Sequence, residues 1–401
     1  RVGARFACDS LRVWSVMSEK HVYSFGKDHA GNDVTEVAGA SVEEAKWIVG
    51  GKGANLAEMS KIGLPVPPGF SITCQTCVAY SNNGNVWPEG VTDEIDAAMA
   101  TLEERMGKKL GDAEDPLLVS VRSGAPFSMP GMMDTVLNLG LNDESVQGLI
   151  KQTGNERFAW DSYRRFVQMF SGVVMGVSGQ LFEDAIAAKK AEKGVKLDTE
   201  LDANDLRDLV TWFKGIFAAN VDVKEHPEVS KNGYAVFPSD PYLQLRLAEQ
   251  AVFGSWMNDR AILYRKQNKI PDELGTAVNV QVMVFGNKGE TSATGVAFTR
   301  NPADGTNERY GDFLINAQGE DVVAGIRNTE PIADLVKVPA LKEAGEELFH
   351  VFEILEDHYA DMMDIEFTIE NGKLWMLQTR VGKRTALSAL KVAIQVCEEG
   401  R

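Results

Sequence analysis

Residues 363–380 read MDIEFTIENGKLWMLQTR, and this stretch predicts a β-hairpin. Two runs rich in β-branched, aromatic and long apolar residues flank the sequence Glu-Asn-Gly, which is a strong turn signal. Because strand side chains alternate between faces, Ile365 and Phe367 share one face, and Asp364 and Glu366 share the other. The stretch therefore predicts a hairpin with an apolar and a polar side.

The length of the turn decides which residues face each other across the hairpin. A two-residue turn would pair Glu366 with Leu377, whereas a three-residue turn would pair Glu366 with Met376. We expect the three-residue turn, with its glycine in the left-handed conformation, which also pairs Asp364 with Gln378. Its core face is predicted to hold Ile365, Phe367, Trp375 and Leu377. Its polar face is predicted to hold Asp364, Glu366, Gln378 and Arg380.

The predicted polar face combines hard oxygen ligands with a cation. Two carboxylates and an amide oxygen are suited to Mg²⁺, and a nearby arginine suits a phosphate group. The alternative is an ordinary half-buried hairpin whose acidic residues are solvated. The rest of the chain favours the first interpretation.

Composition limits the function classes. The 401 residues suffice for one large domain or for two to three ordinary ones, and 44% are hydrophobic. The formal charge of −17 argues against general binding to nucleic acids or anionic membranes. The sequence has no apolar run approaching the roughly 18 to 20 residues of a membrane span. An anionic ligand such as ATP would need locally concentrated cations.

The four cysteines are too few for a disulfide scaffold, which suits a reducing compartment. Cys74 and Cys77 form a CxxC pair, with no second pair and no histidine nearby in sequence, so a zinc site is not expected. We interpret the two as a surface pair at a helix start.

The first 20 residues hold three arginines and three serines, and we interpret 1–20 as a leader. A transit-peptide remnant and a poorly ordered terminus are the alternatives. The expected location is cytoplasmic, or a plastid if the segment is a transit-peptide remnant.

Two segments of the N-terminal half place cations beside glycines. Gly50-Gly51-Lys52-Gly53 precedes a helix expected to end near Gly63, so its backbone N–H groups and Lys52 can reach a phosphate. It is not a Walker A loop, because the upstream glycine and the Ser/Thr after the lysine are missing. Residues 117–124 predict a strand that delivers Arg122 near its C-terminal end.

The loop at 125–134 is punctuated by glycine and proline and contains Met129, Met132 and Met133. Methionines are unusual in a solvated loop, so it is interpreted as a mobile lid or an interdomain contact, or else as a loop packed on the core. Farther on, the pattern is helical from about 143 to 223. Arg164 and Arg165 lie there, with a solvated helix face as the alternative to a role in a site.

Taken together, these segments resemble the N-terminal nucleotide-binding domain of the pyruvate, phosphate dikinase family, which has an ATP-grasp fold. The run 119–141, with SMPGMMDT at 128–135, is highly specific and differs from the acidic loop of the related phosphoenolpyruvate synthase. The other matching stretches are 50–59, 115–143, 157–166, 275–301, 315–325 and 364–384. The resemblance implies the α/β (α+β) class, as an ATP-grasp fold with a helical insert subdomain.

The domain ranges expected on this basis cover the whole chain. They are a leader at 1–20, an N-terminal ATP-grasp lobe at 21–142, a helical insert subdomain at 143–240, a C-terminal lobe with the metal-site hairpin at 241–385, and the start of a linker to a phosphohistidine domain at 386–401.

The resemblance also implies roles for individual residues. Lys52 and Arg122 match the phosphate clamp and, with Arg380, are the candidate catalytic residues. Glu366 and Gln378 match the metal ligands, with Asp364 and Arg380 beside them as nucleotide-binding residues. Further nucleotide-binding positions are Gly131, Met133, Arg165, Gln281, Met283, Val284, Thr294, Gly295, Glu320 and Asp321. The strand 281–284 is the one expected to meet the adenine.

The family reaction converts ATP, phosphate and pyruvate to AMP, pyrophosphate and phosphoenolpyruvate through a phosphohistidine. None of the five histidines lies in a Gly-Gly-x-Thr-Ser-His-type segment, so the sequence predicts only the ATP half-site of this phosphotransferase. The implied cofactor is Mg²⁺, with ATP as substrate, expected between the Lys52/Arg122 lobe and the hairpin. The implied partners are phosphate, the phosphohistidine and pyruvate/phosphoenolpyruvate domains, and like copies in a full-length homo-oligomer, but neither nucleic acid nor a membrane.

Two other functions are alternatives. One is a non-catalytic nucleotide-binding module, which a missing cation or carboxylate would favour; all four of Lys52, Arg122, Glu366 and Gln378 are present. The other is the ATP domain of an enzyme like phosphoenolpyruvate synthase, with water as second acceptor. The methionine-rich loop argues against it.

Overall fold

The computed structural model describes residues 20–36, 38–324 and 327–401, apart from the side chains of Glu320, Val323 and Ala324. The leader predicted at 1–20 therefore lies outside the described residues except for Lys20, and so does the side chain of Glu320.

Helices and strands both contribute, which confirms the predicted α/β (α+β) class. The helices are α1 (Val42–Lys61), α2 (Cys74–Asn82), α3 (Val91–Met106), α4 (Ser145–Thr153), α5 (Glu156–Met175), α6 (Gly179–Lys193), α7 (Ala203–Asn220), α8 (Pro241–Gly254), α9 (Asp259–Asn268), α10 (Gly319–Ala324), α11 (Lys342–Tyr359) and α12 (Ala386–Glu398). The strands are β1 (Val22–Phe25), β2 (Gly69–Ile72), β3 (Lys109–Leu110), β4 (Pro116–Leu117), β5 (Val119–Gly124), β6 (Thr135–Leu139), β7 (Ser230–Lys231), β8 (Tyr234–Ala235), β9 (Ala277–Val282), β10 (Ala293–Phe298), β11 (Tyr310–Ile315), β12 (Glu330–Pro331), β13 (Met363–Glu370) and β14 (Lys373–Val381). None of the described helices is long and apolar enough to cross a membrane.

The chain divides into two compact units. Of the described residues, the first unit comprises 20–24, 36, 38–54 and 68–283, and the second comprises 25–35, 55–67, 284–324 and 327–401. The sequence placed 241–283 in the C-terminal lobe, whereas the structure groups it with the first unit, because β9 pairs there with β2 and β5. The assignment of functional lobes and of the linker stays a prediction.

The first unit is built on a five-stranded sheet in the order β1-β2-β9-β5-β6. The pairs β2–β9, β9–β5 and β5–β6 are antiparallel. The helices α4 to α7 cover most of the region predicted to be helical. Phe166, Phe170 and Phe217 from α5 and α7 meet Phe237 edge to face, with ring centroids 5.3 to 5.7 Å apart, so aromatic packing fixes the helices.

The second unit is built on an antiparallel sheet in the order β12-β11-β10-β13-β14. The amphipathic helix α11 contributes Leu348 and Leu355 to a core that includes Phe367 on β13, and all three are fully buried. Burying each such side chain contributes about 1.5–3 kcal/mol. This core occupies one face of the sheet, and Asp364 and Glu366 of β13 lie on the other.

The hairpin of β13 and β14 turns on two residues, so the predicted three-residue turn is wrong. Glu370 pairs with Lys373, and Asn371 and Gly372 between them have φ of 50° and 78°. Positive φ at both central residues is the geometry favoured by an Asn-Gly turn, because it matches the twist of the strands. Farther from the turn the register shifts by one residue, with Leu377 as the extra residue of a β-bulge.

The core face of β14 in the structure also differs from the predicted one. Leu374 and Met376 are fully buried, whereas Trp375 and Leu377, predicted to be core residues, are only half-buried. Because Phe367 lies opposite Met376, these two residues share the core face. Beyond the bulge Glu366 lies opposite Gln378 and Asp364 opposite Arg380, so the four predicted polar residues do share a face.

Cys74 and Cys77 are buried at the start of α2, with about 1% of each exposed, so their interpretation as a surface pair is wrong. Burial raises the pKa of both thiols, that of Cys77 to about 11. They act as small core residues, not as reactive thiols.

Candidate functional site

The polar face of the hairpin in the second unit holds two paired contacts. Nε of Arg380 donates to Oδ2 of Asp364 at 2.6 Å, and Nε2 of Gln378 donates to Oε1 of Glu366 at 3.0 Å. Asp364 is only 7% exposed. Burial raises the pKa of its carboxyl, although the Arg380 guanidinium opposes that shift. Arg380 stays about one-third exposed, so its guanidinium can reach a ligand.

The Glu366–Gln378 contact fits the predicted metal site. The two side-chain heads meet at 3.0 Å, and turning the Gln378 amide by 180° would present two oxygens at one place. Among the described residues there is no group of three or more His, Cys, Asp or Glu side chains that could hold a metal alone. Mg²⁺, which proteins bind through one or two carboxylates together with water and substrate phosphates, stays a prediction for this pair.

Strand β10 extends the same polar face. Thr294 lies opposite Thr368 of β13, and its hydroxyl donates to the main-chain oxygen of Phe367 at 3.1 Å. A side chain at Gly295 would clash with Phe367, since an added Cβ would lie 2.6 Å from its ring. An added Cβ on Gly319, the first residue of α10, would lie 3.8 Å from Oγ1 of Thr294. The structure therefore brings Thr294 and the start of α10 together.

Two of the predicted nucleotide-binding residues lie on α10. The carboxylate of Asp321 accepts the main-chain N–H of Gln318 at 3.0 Å, which closes the turn into the helix. The side chain of Glu320 lies outside the described residues, and its role stays a prediction.

In the first unit, glycines bring the Lys52 segment against the C-terminal end of β5. Gly50 interrupts α1 with φ of 70°, and an added Cβ there would lie 1.5 Å from the carbonyl oxygen of Gly124. The next residue, Gly51, donates its N–H to Ala125 at 2.9 Å. An added Cβ on Gly124 would lie 3.2 Å from Cβ of Lys52. Because Arg122 precedes Gly124 by two residues, the structure brings both predicted clamp residues to one end of this strand.

The methionine-rich loop packs on its own unit. Met129 is 6% exposed, and Asn258 at the start of α9 donates its amide to the carbonyl of Met132 at 3.1 Å. Arg260 of α9 pairs with Asp134 at 3.0 Å. These contacts favour the interpretation as a loop packed on the core. Gly131 and Met133 occupy the loop tip: Gly131 is exposed with φ of 71°, and Met133 is half-buried.

Arg165 lies on α5 next to a buried carboxylate. Its Nε donates to Asp161 at 3.0 Å, and Arg164 donates to the same carboxylate at 2.7 Å. Burial opposes ionisation of Asp161, but the two guanidinium groups hold its pKa below the usual range. A solvated face is the wrong interpretation for Arg164, which is 4% exposed. Arg165 is partly exposed and remains a candidate for an anion.

The predicted adenine strand is shorter than expected, since β9 ends at Val282. Gln281 is buried, and its main-chain oxygen accepts from the Ser120 hydroxyl at 3.3 Å. Met283 continues the pairing by donating its N–H to Leu118 at 2.9 Å. Met283 and Val284 are half-buried.

Asn279 is a buried polar residue beside Arg122 that the sequence patterns do not single out. It is fully buried in β9, between Arg122 of β5 and Ser71 of β2. The signal that could have revealed it is a polar residue in the middle of a strand whose other residues, apart from Gln281, are apolar.

A family model and several known proteins match this chain. The family model described as the pyruvate phosphate dikinase AMP/ATP-binding domain matches residues 46–89, 85–341 and 333–399. The chain belongs to this family. The predicted resemblance to pyruvate, phosphate dikinase and the predicted ATP-grasp type are thereby confirmed.

Relatives named pyruvate, phosphate dikinase are similar over most of this chain. The one from Clostridium symbiosum is 54% identical over 353 residues, which are 88% of this chain and 39% of that protein. The chloroplastic one from Flaveria trinervia is 51% identical over 383 residues, 96% of this chain and 38% of that protein. The one from Giardia intestinalis is 50% identical over 387 residues, which are 96% of this chain and 42% of that protein. The chain thus spans about two fifths of the length of these dikinases, and their names favour the dikinase over the two alternatives.

Proposed function

We propose that this chain is the ATP-binding, phosphoryl-donating part of a pyruvate, phosphate dikinase. The observation that carries the proposal is the polar hairpin face, where Glu366 meets Gln378 and Asp364 meets Arg380. These pairs supply hard oxygen ligands and a cation on one rigid sheet within an AMP/ATP-binding domain family.

In this proposal the first unit binds phosphate groups. Lys52 and Arg122 supply cations in a chain of formal charge −17, and the N–H groups of the glycine-rich segment lie beside them. Phosphoryl transfer is catalysed mainly by positioning and by neutralising charge, so the proposal needs no nucleophile from this unit. Arg165, Gly131 and Met133 are proposed as further nucleotide contacts.

The second unit is proposed to hold Mg²⁺ through Glu366 and Gln378. The ion, when bound, would supply charge neutralisation for the phosphates. Asp364 orients Arg380 by a 2.6 Å hydrogen bond, which aims the guanidinium at an anionic ligand. Thr294, Gly295, Glu320 and Asp321 are proposed nucleotide contacts of this unit, and Gln281, Met283 and Val284 are proposed to meet the adenine.

The proposed overall reaction converts ATP, phosphate and pyruvate to AMP, pyrophosphate and phosphoenolpyruvate through a phosphohistidine on another domain. None of the five histidines of this chain lies in a Gly-Gly-x-Thr-Ser-His-type segment. Their sequence setting supports an acceptor supplied from elsewhere in the enzyme. The remaining partners proposed are the pyruvate/phosphoenolpyruvate domain and further copies in a homo-oligomer.

The test measures ATP binding and AMP formation separately. The chain should bind ATP, which then stabilises the fold by an amount set by the ATP concentration relative to Kd. AMP should form only when a histidine-bearing central domain is added, because transfer requires an in-line nucleophile close to phosphorus. The assay incubates radiolabelled ATP with the purified chain, with and without that domain. A stable phosphorylated form mapped to a histidine of this chain would overturn the proposal.

The location of the protein is proposed to be the cytoplasm. The plastid is the alternative, because the Flaveria trinervia relative is named chloroplastic. Fluorescence of the tagged full-length protein in its own cells would distinguish the two.

A further inference from the structure

A polar row, buried at two of its three positions, crosses three strands of the first unit. Ser71 on β2, Asn279 on β9 and Arg122 on β5 are direct partners across the two ladders. Directly opposite residues share a face of a sheet, so the three side chains start from the same face. Ser71 and Asn279 are 1% and 0% exposed. Buried polar groups of this kind need partners inside the protein.

Asn279 finds such partners on both neighbouring strands. The Ser71 hydroxyl donates to Oδ1 of Asn279 at 2.7 Å. Nδ2 of Asn279 donates to the main-chain oxygen of Arg122 at 3.4 Å. The amide therefore ties β2 to the backbone of the residue that is proposed to clamp phosphate.

The same amide fills the space beside two glycines. An added Cβ on Gly53 would lie 2.8 Å from Oδ1 of Asn279, and one on Gly124 would lie 2.6 Å from its Nδ2. Gly53 directly follows Lys52, and Gly124 follows Arg122 by two residues. The position of the Asn279 amide thus determines how closely the backbones carrying Lys52 and Arg122 approach it.

We propose that Asn279 is a positioning residue that sets the spacing of Lys52 and Arg122 for binding ATP phosphates. This inference rests on the proposed function of those two residues. Two cations must meet a polyphosphate at the same time, and a displacement of about 1 Å can cost on the order of a hundredfold in activity. Asn279 acts through the backbone around it and not by contact with ATP.

The first test is Asn279→Asp in the 401-residue chain, with Mg²⁺-ATP titrated by calorimetry. The change keeps the size and the acceptor for Ser71, but it turns the donor toward Arg122 into an acceptor that repels the carbonyl. We expect ATP affinity to fall roughly tenfold or more. Ser71→Ala removes only the hydroxyl that donates to Asn279, so it should weaken ATP affinity less than Asn279→Asp. If Asn279→Asp does not fold, the ATP affinity of Ser71→Ala decides the question.

Asn142→Asp is the matched control. Its amide donates to the main-chain oxygen of Ser239 at 2.9 Å, also in the first unit, so the same chemical change is made away from the clamp. It should lower thermal stability and leave ATP affinity unchanged.

A double-mutant cycle separates positioning from a general loss of stability. If Asn279 acts through the clamp, Asn279→Asp should weaken ATP binding much less in a Lys52→Ala background than in the wild type. Additive losses, or wild-type affinity in both folded Asn279→Asp and Ser71→Ala, would overturn the positioning role. Wild-type affinity in Lys52→Ala and Arg122→Ala would instead reject the proposed clamp itself.

Discussion

The side-chain amide of Gln378 donates a 3.0 Å hydrogen bond to Glu366, which lies directly opposite it on the neighbouring strand. The contact joins the two residues proposed to hold Mg²⁺. It keeps their heads together before any ligand arrives, so binding a metal requires the Gln378 amide to turn but not to move closer.

Removing one of these ligands should abolish the metal-dependent part of ATP binding. Glu366→Ala is expected to lower ATP affinity in excess Mg²⁺ by at least roughly tenfold, because a carboxylate ligand is lost. Calorimetry in Mg²⁺ and in chelator measures the effect. Glu343→Ala changes an exposed glutamate in the first turn of α11 and should behave as the wild type. Unchanged affinity in Glu366→Ala would reject the metal assignment.

Lys52 and Arg122 should each be needed for ATP affinity. Hydrogen bonds to charged groups contribute about 1.5–3 kcal/mol, so either alanine variant is expected to bind ATP roughly 10- to 100-fold more weakly. The loss should be measured at two salt concentrations, since part of it is electrostatic. Lys46→Ala removes another lysine of α1, one that contacts Glu43 at 2.8 Å, and serves as the control. Equal affinities in all three variants would argue against the clamp.

Gly50 and Gly63 form a matched pair for testing the close approach of Gly50 to Gly124. Both have positive φ, 70° and 93°, so an alanine at either position incurs backbone strain of about 1–2 kcal/mol. Only at Gly50 would the new Cβ also collide with a carbonyl oxygen. Gly50→Ala should therefore lower the free energy of unfolding by about 1–3 kcal/mol more than Gly63→Ala. Urea denaturation measures both, and equal losses would contradict the close approach.

Glu249 on α8 predicts a pH dependence of stability. It is fully buried, and neither carboxylate oxygen has a hydrogen-bond partner among the residues that the structure describes. Burial raises its pKa to about 8, with Arg246 opposing the shift and Asp96 adding to it. The folded state thus retains a proton that the unfolded state releases near its model value of 4.5. Stability from this group is complete below pH 4.5 and is lost as the pH rises toward about 8.

Glu249→Gln should remove that slope. In urea denaturation at several pH values, the stability of the variant relative to the wild type is expected to increase from pH 5 to pH 8. The difference in the free energy of unfolding should be largest at pH 8. Glu343→Gln, at an exposed position, should follow the wild type throughout. A constant difference between Glu249→Gln and the wild type would show that Glu249 ionises normally in the fold.

The sequence predicted the polar face of the hairpin correctly from a register that was wrong. In both the predicted and the observed registers, even-numbered residues of β14 beyond the bulge face Asp364 and Glu366. Between the turn and the bulge, the even-numbered residues of β14 face the core in the structure, whereas the predicted register places the odd-numbered ones there. The predicted register therefore assigns Trp375 to the core in place of Leu374. Four consecutive apolar residues, 374–377, give no alternation to fix the face, so the turn and the bulge had to decide it.

Other features depended on tertiary contacts that local patterns do not encode. The end of α1 near Gly63 follows from a local signal and was predicted, since glycine there adopts a φ of 93°. The burial of Cys74 and Cys77 depends on what packs over α2, and the CxxC pattern carries no such information. The burial of the Asn279 amide depends on a hydrogen bond from Ser71, which lies 208 positions away in sequence.

The bulge gives β14 one residue of spare length. Loss of any single residue between Gly372 and Gln378 could be absorbed by straightening the strand, and Gln378 would still stand opposite Glu366 with Arg380 opposite Asp364. Loss of Thr379 has no such remedy, because it lies beyond the bulge and spaces the two pairs. In the history of such a gene, the deletion of one residue is therefore expected to be tolerated on the turn side of Gln378 and to disrupt the site at Thr379.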